Sequence, residues 1–210
     1  MSNVKAYFVS KDRNKNLTPN FKVKEFQSHD GADKVLIDYE LLCLLQLIRR
    51  TINKPLIINS GYRTKEHNRK VGGASNSYHM YGRAFDVSGI SSSVLANYCY
   101  TLNINGIIIY STWVHMDTRD NVYHADYTNK DYKFIKVSIP YLNTLSLLGS
   151  NNYIVGCIQH MLNTKGYGAG LVDGIFGNNT LRAVKDFQDK NGLKVDGIVG
   201  KNTWDKLFNI

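Results

Sequence analysis

Apolar and polar positions recur along this chain with two periods, and the changes of period outline its elements. Over residues 38–53, Leu41, Leu44, Leu45 and Ile48 fall on one helical face, which predicts a helix capped by Asp38 and ended ahead of Pro55. Residues 55–60, Pro-Leu-Ile-Ile-Asn-Ser, read as a buried strand. A short helix is predicted over 64–71, closed by Gly72-Gly73. A second strand follows at 83–88, then a helix over 91–102, then a hairpin made of 106–110 and 113–118. Residues 120–133 are polar and Tyr-rich, without a clear period.

The pattern changes near residue 140. Residues 137–150 hold one Pro and no acidic or basic side chain, so 137–149 are expected to link a domain at 1–136 to a second at 150–210. The second contains a repeat: Asp173-Gly-Ile-Phe-Gly-Asn-Asn-Thr180 returns as Asp196-Gly-Ile-Val-Gly-Lys-Asn-Thr203. Each copy pairs a Gly-rich turn with a Thr placed to cap the next helix, giving helices at 153–164, 181–191 and 204–208. The expected architecture is an α+β domain with a small antiparallel sheet and flanking helices, followed by a small three-helix all-α domain.

Composition narrows the function classes. Hydrophobic residues make up 43% of 210, enough for packed cores. The formal net charge of +9 favours polyanionic partners such as nucleic acid, anionic lipid or the teichoic acids of a cell wall. Most of the excess lies in 1–136, with 19 basic and 12 acidic side chains against 7 and 5 in 137–210. No compact Lys/Arg run and no nucleic-acid motif accompanies it, so nucleic acid is not expected as a partner. Apolar runs such as 41–48 are too short to span a bilayer, so membrane insertion is not expected. Residues 1–10 lack the apolar stretch of a signal peptide, which points to synthesis in the cytoplasm. Cys43, Cys99 and Cys157 are far apart and odd in number, and read as buried thiols.

The densest chemistry is His79-Met-Tyr-Gly-Arg-Ala-Phe-Asp86, followed by Trp113-Val-His115-Met-Asp117. Neutral imidazole nitrogen and anionic carboxylate oxygen together suit zinc. His79 on a loop, Asp86 on the strand after it and His115 on a neighbouring strand would bring three ligands together from separate elements. Three protein ligands and one open position is the catalytic arrangement of zinc. The spacing also fits a plainer reading, in which His115 and Asp117 are alternate polar positions on a strand's solvent face. His29, His67, His124 and His160 have no such partners and are expected to be surface or core residues. Asp30, Gly31 and Asp33 lack the spacing of a calcium loop.

Ser77-Tyr-His79-Met-Tyr-Gly82-Arg-Ala84-Phe-Asp86 resembles the Ser-x-His-x-x-Gly-x-Ala-x-Asp motif of the D-alanyl-D-alanine carboxypeptidase (M15) family of zinc peptidases. Ile58-Asn-Ser-Gly-Tyr-Arg63-Thr, Asn68-x-x-Val-Gly-Gly-Ala-x-Asn76-Ser and Trp113-Val-His115-Met-Asp117-Thr-Arg are similar to the same family, and the resemblance covers about 15–120. It implies zinc as cofactor, with His79, Asp86 and His115 as its ligands, and Arg63 holding substrate near the metal. Many members place a proton-transferring acid three residues before the last histidine, where this chain has Thr112. Asp117 is the expected general base and acid instead, with an orienting partner or a further ligand as its alternatives. Ser77 is expected to bond substrate or to position the His79 loop. Tyr62 and Tyr78 are expected to line the cleft or pack at its rim.

Residues 150–210 resemble the three-helix peptidoglycan-binding domain found beside wall hydrolases. The carrying residues include Val172-Asp-Gly-Ile-Phe-Gly177, Ala183-Val-x-x-Phe-Gln188 and Gly192-Leu-x-Val-Asp-Gly-Ile-Val-Gly200. The two resemblances together imply an enzyme whose partner is bacterial peptidoglycan, with no protein partner implied. The expected activity is that of a phage endolysin: an endopeptidase cutting a stem peptide or cross-link after release from the host cytoplasm. A D,D-carboxypeptidase releasing terminal D-Ala, or a binding protein with a structural zinc, are the competing expectations.

Overall fold

The computed structural model describes residues 4–128, 131–137, 146–151 and 153–208. The chain divides into two compact units, Ser2–Val137 and Ser138–Ile210.

The first unit opens with β1 (Val4–Phe8), which runs into the single turn α1 (Val9–Asp12). Next come β2 (Asn16–Thr18) and β3 (Phe21–Lys22), which pair with each other, and a 3-10 turn at Val23–Phe26. β4 (Lys34–Asp38) then returns antiparallel along β1. It delivers Asp38 to the start of α2 (Tyr39–Ile52), where the carboxylate accepts the Glu40 and Leu41 N–H groups at 2.9 and 3.2 Å. Every residue of α2 from Leu41 to Ile48 is buried, so the helix is enclosed rather than one-faced. Its one buried amide, Gln46, accepts from the Thr18 hydroxyl and donates to Asn20 Oδ1, which satisfies both ends of the group. The helix ends on Asn53 at φ 49°, a left-handed residue that Asn tolerates.

The larger sheet is built from β5 (Ile57–Ser60), β6 (Ala84–Ser88), β7 (Gly106–Ile109), β8 (Val114–Asp117) and β9 (Tyr123–Asp126). Their spatial order is β5-β6-β8-β7-β9. α3 (Lys65–Lys70) and a 3-10 turn at Tyr78–Tyr81 lie between β5 and β6, and α4 (Ser92–Thr101) lies between β6 and β7. Two sequence expectations change here. β5 is a sheet edge rather than a buried strand, and Ile57 is 56% exposed. The stretch without a period contains β9, which pairs parallel to β7, so the sheet is mixed rather than wholly antiparallel.

β6 is central, and Ala84 to Val87 are all buried. Phe85 packs against Phe26 with ring centroids 4.8 Å apart, tying the sheet to the turn at Val23–Phe26. Each such buried aromatic contributes about 1.5–3 kcal/mol. Gly61, just past β5, is fitted to the same place: a Cβ there would lie 2.7 Å from Phe26 Cα. No helix among the described residues is long and apolar enough to cross a membrane. The three cysteines are free and buried, and burial pushes the Cys99 thiol up to about 12.

In the second unit the described helices are α5 (Tyr153–Thr164), α6 (Asn178–Lys190) and α7 (Lys201–Phe208). α6 and α7 begin earlier than the sequence suggests, so Thr180 and Thr203 are not their caps. Both are buried inside the first turn, where their hydroxyls accept from the Gln159 and Gln188 side chains at 3.0 and 3.1 Å. Gln159 also donates to Asp173 and the Ile175 carbonyl and accepts the Gly174 N–H. Gln188 repeats this set with Asp196, Ile198 and Gly197. The repeat is therefore a pair of loops, each folded around one buried glutamine. Residues 138–145 of the expected linker lie outside the described residues. Its end belongs to this unit: Ser146 exchanges backbone hydrogen bonds with Val199, and the Gly149 N–H donates to the Phe176 carbonyl.

Candidate metal centre

His79 sits on the turn Tyr78–Tyr81, which Gly82 closes at φ 68°. A Cβ at Gly82 would lie 2.5 Å from the Leu36 backbone, so both the turn and its approach to β4 require glycine. Asp86 and His115 are direct cross-strand partners on β6 and β8. Their side chains therefore leave the sheet on one face, toward the His79 turn. Three donor atoms meet there. His79 Nε2 lies 3.2 Å from Asp86 Oδ1 and 3.2 Å from His115 Nδ1, and His115 Nδ1 lies 2.9 Å from Asp86 Oδ1.

The outer nitrogens of both rings are engaged. His79 Nδ1 faces the Gly61 carbonyl at 2.7 Å, an acceptor, so this nitrogen carries the proton. His115 Nε2 faces Asp117 Oδ2 at 2.8 Å and donates to it. In the neutral rings, the two inner nitrogens and Asp86 Oδ1 then present three lone pairs to one another with no proton between them. Such a set calls for a cation. A tetrahedral ion with bonds of about 2.0–2.1 Å sets its ligands about 3.3 Å apart. The observed separations are close to that, and His79, Asp86 and His115 are the one metal-competent group among the described residues.

The surrounding charge supports the site. Without a metal, where a proton can lie between these atoms, burial pushes the Asp86 carboxyl up, but hydrogen bonds from His115 and His79 outweigh it and hold the group well below its ordinary range. Arg63 donates to the other oxygen, Asp86 Oδ2, at 2.5 Å and through Nε to Ser60 Oγ at 2.7 Å. Asp86 thus faces the other two donors with one oxygen and a guanidinium with the second.

Asp117 stands behind His115 rather than among the three donor atoms. It shares a strand face with His115, as alternation demands, but its carboxylate binds the ring nitrogen turned away from Asp86 and His79. It is fully buried and also accepts the Arg119 backbone N–H at 3.0 Å, Nε at 2.8 Å and a terminal nitrogen at 2.5 Å. Burial raises its pKa, and the bonds from Arg119 and His115 bring it well below the ordinary range. A bond to the outer ring nitrogen is the contact an orienting partner makes, one of the alternatives that the sequence left open. Thr112 is exposed in the turn between β7 and β8.

Ser77 precedes the His79 turn and is half-buried, with its carbonyl accepting the Met80 N–H. Tyr62 is half-buried, and its N–H donates to the Phe26 carbonyl. A cavity of about 230 Å³ opens beside Asp86 and Arg63, lined also by His29, His67 and Trp113. The sequence reading set both of these histidines aside. Both fall outside the motifs the sequence offers.

Fold and site together give an α+β unit with a His/Asp/His group able to hold a metal ion on one sheet face, and a separate small helical unit. Residues 15–117 match the family model described as Peptidase M15, and residues 153–207 match that of the putative peptidoglycan binding domain. The chain carries a peptidase M15 domain followed by a peptidoglycan-binding domain. It is 45% identical over 53 residues to a zinc D-Ala-D-Ala carboxypeptidase of Streptomyces albus G, covering 25% of this chain and 21% of that protein. It is 46% identical over 46 residues to a spore cortex-lytic enzyme of Bacillus cereus, covering 22% and 18%. The crystal structure of the SleB N-terminal domain aligns with a TM-score of 0.31 at 37% identity, over 32% of this chain and 92% of that one. The chain spans 17% to 40% of the length of the curated relatives it matches.

Proposed function

We propose that this protein is a zinc-dependent cell-wall peptidase of the endolysin kind, hydrolysing a peptide bond in the stem peptide or cross-link of bacterial peptidoglycan. The observation that carries the reading is the convergence of the His79, Asp86 and His115 lone pairs in a chain that also holds a peptidoglycan-binding domain. These three residues would hold the zinc. When bound, the ion supplies Lewis acidity toward water and toward a peptide carbonyl. Arg63 faces the cleft beside Asp86, where its remaining N–H groups suit a substrate oxygen that gains negative charge. Asp117 fixes the His115 tautomer so that Nδ1 offers its lone pair. Ser77 and Tyr62 complete the proposed substrate-binding set. The basic surface supports retention on anionic wall polymers.

Purified peptidoglycan, incubated with the protein with and without a chelator, tests this. New internal peptide termini that disappear on chelation and return with zinc are expected. No new termini, or termini indifferent to the chelator, would refute it. The likeness to the Streptomyces albus G carboxypeptidase supports a second reading, release of single terminal D-Ala, which the same mass spectra distinguish.

A further inference from the structure

Asp117 can orient His115 only while its own carboxylate is held, because the terminal torsion of an aspartate is broad. The holding group is Arg119. Its Nε donates to Oδ1 at 2.8 Å and a terminal nitrogen donates to Oδ2 at 2.5 Å, the two parallel bonds of a guanidinium fork. The Arg119 backbone N–H adds a third bond, to Oδ1 at 3.0 Å. The fork sets the plane of the carboxylate, and in that plane Oδ2 accepts from His115 Nε2 at 2.8 Å. The series Arg119, Asp117, His115 therefore ends on Nδ1, the nitrogen that meets Asp86 and His79.

The guanidinium is itself confined. Its Cζ lies over the Tyr123 ring, 4.7 Å from the centroid, and over the Tyr78 ring at 5.3 Å. Tyr78 immediately precedes His79, and Tyr123 opens β9. Asn105 ties Arg119 to β9, because its side-chain amide donates to the Arg119 carbonyl at 2.7 Å and its own carbonyl accepts the Tyr123 N–H at 2.8 Å. On the other side, the Thr118 N–H donates to the Arg83 carbonyl at 3.1 Å. Neutralising a buried carboxylate takes only a positive charge, which lysine also supplies. A fork seated on two rings and anchored through its backbone also fixes a direction.

We propose that Arg119 is a positioning residue for the His79, Asp86 and His115 group: its guanidinium fork turns Asp117 Oδ2 onto His115 Nε2 and so presets His115 Nδ1 for zinc. The role rests on the zinc reading above and is independent of which wall bond is cut.

Two measurements on the full-length protein test it, in the parent, R119M and R119K: zinc affinity by chelator competition, and the histidine N–H protons of the 15N-labelled, zinc-loaded form. R119M should bind zinc about tenfold more weakly, the lower end of what losing an outer partner of a metal ligand costs. Its His115 Nε2–H should exchange faster with water, while His79 Nδ1–H, bonded to the Gly61 carbonyl, keeps the parental rate. R119K returns the charge without the fork and should stay short of the parent in both measurements. It also carries the test if R119M, which leaves the fully buried Asp117 without a partner charge, fails to fold. Parental zinc affinity in R119M or in R119K, an unmoved His115 proton, or equal acceleration of both histidine protons would overturn the role. A parent that binds no zinc would overturn the zinc reading and this role with it; a parent that binds zinc, with variants that match it, would overturn the role of Arg119 alone.

Discussion

Asp117→Asn separates two roles for the buried carboxylate behind His115. The carboxylate takes four hydrogen bonds: one from His115 Nε2 and three from Arg119. Each oxygen receives two of them, so an amide at this position must turn its NH2 toward donors on one side. Hydrogen bonds to charged groups contribute about 1.5–3 kcal/mol each. Arg119 keeps 19% of its side chain exposed and regains some water, so a net loss of about 2–4 kcal/mol in folding stability is expected. The larger consequence falls on the metal. Without a fixed acceptor at Nε2, His115 is free to place its proton on Nδ1, the atom that faces Asp86 and His79. Loss of such an orienting partner lowers metal affinity about 10- to 100-fold. Zinc affinity measured by competition with a chromophoric chelator, beside peptidoglycan hydrolysis at low and saturating zinc, reads the difference. The orienting role predicts weaker zinc binding and activity that recovers in part with excess zinc. Unchanged zinc affinity with activity lost at every zinc concentration would refute this reasoning and return Asp117 to the role of general base.

The strand register explains why the carboxylate fits there at all. Asp117 pairs with Ala84 on β6 and with Gly106 on β7, two of the smallest residues available. A Cβ at Gly106 would lie 2.1 Å from Asp117 Oδ1. Arg119 holds that oxygen through both backbone and side chain, so it has little freedom to move away.

Gly106→Ala should therefore destabilise the protein by about 1–3 kcal/mol and weaken zinc binding with it, as read by thermal unfolding and chelator competition; a variant as stable and as tight as the parent would show that the carboxylate can shift. Gln188→Ala strips the second repeat loop of its central group and should cost about 2–4 kcal/mol, lowering the unfolding transition and retention on peptidoglycan. Unchanged retention after that substitution would place wall binding away from this loop. In the chelated protein, burial lowers the His115 pKa, but bonds with Asp117 and Asp86 outweigh it and raise the group above 6.5. Its contribution is fully present below about pH 6.5 and is lost as pH rises through the raised value, so the melting temperature without metal should fall on going alkaline. Asp86 and Asp117 have depressed values, so their contribution is present above about pH 4 and is lost as acid protonates them. A chelated protein whose melting temperature climbs steadily from pH 6 to 9 would contradict the first of these signs.

What could be read from the residues depended on how local each feature is. The helix behind Asp38, the hairpin and the strand bearing Asp86 carry their own caps, turns and apolar runs, and short windows of sequence reveal them. β1, β4 and β9 do not. β9 is four residues with an exposed or half-exposed pattern, and it exists because β7 offers an edge to it. Asp117 shows the same limit at the scale of one side chain. Alternation places it on the His115 face of β8, and that much follows from a period of two. Which ring nitrogen it meets depends on Arg119 and on the gaps left by Ala84 and Gly106, contacts that cross strands. The repeated loops extend the point. Asp-Gly and Thr recur visibly at a shift of 23, whereas Gln159 and Gln188 are 29 apart and lie in helices that precede each loop. Read as a turn and a cap, the repeat looks self-contained. Its closure instead comes from a buried amide on the preceding helix, so each loop is only as firm as the packing of that helix.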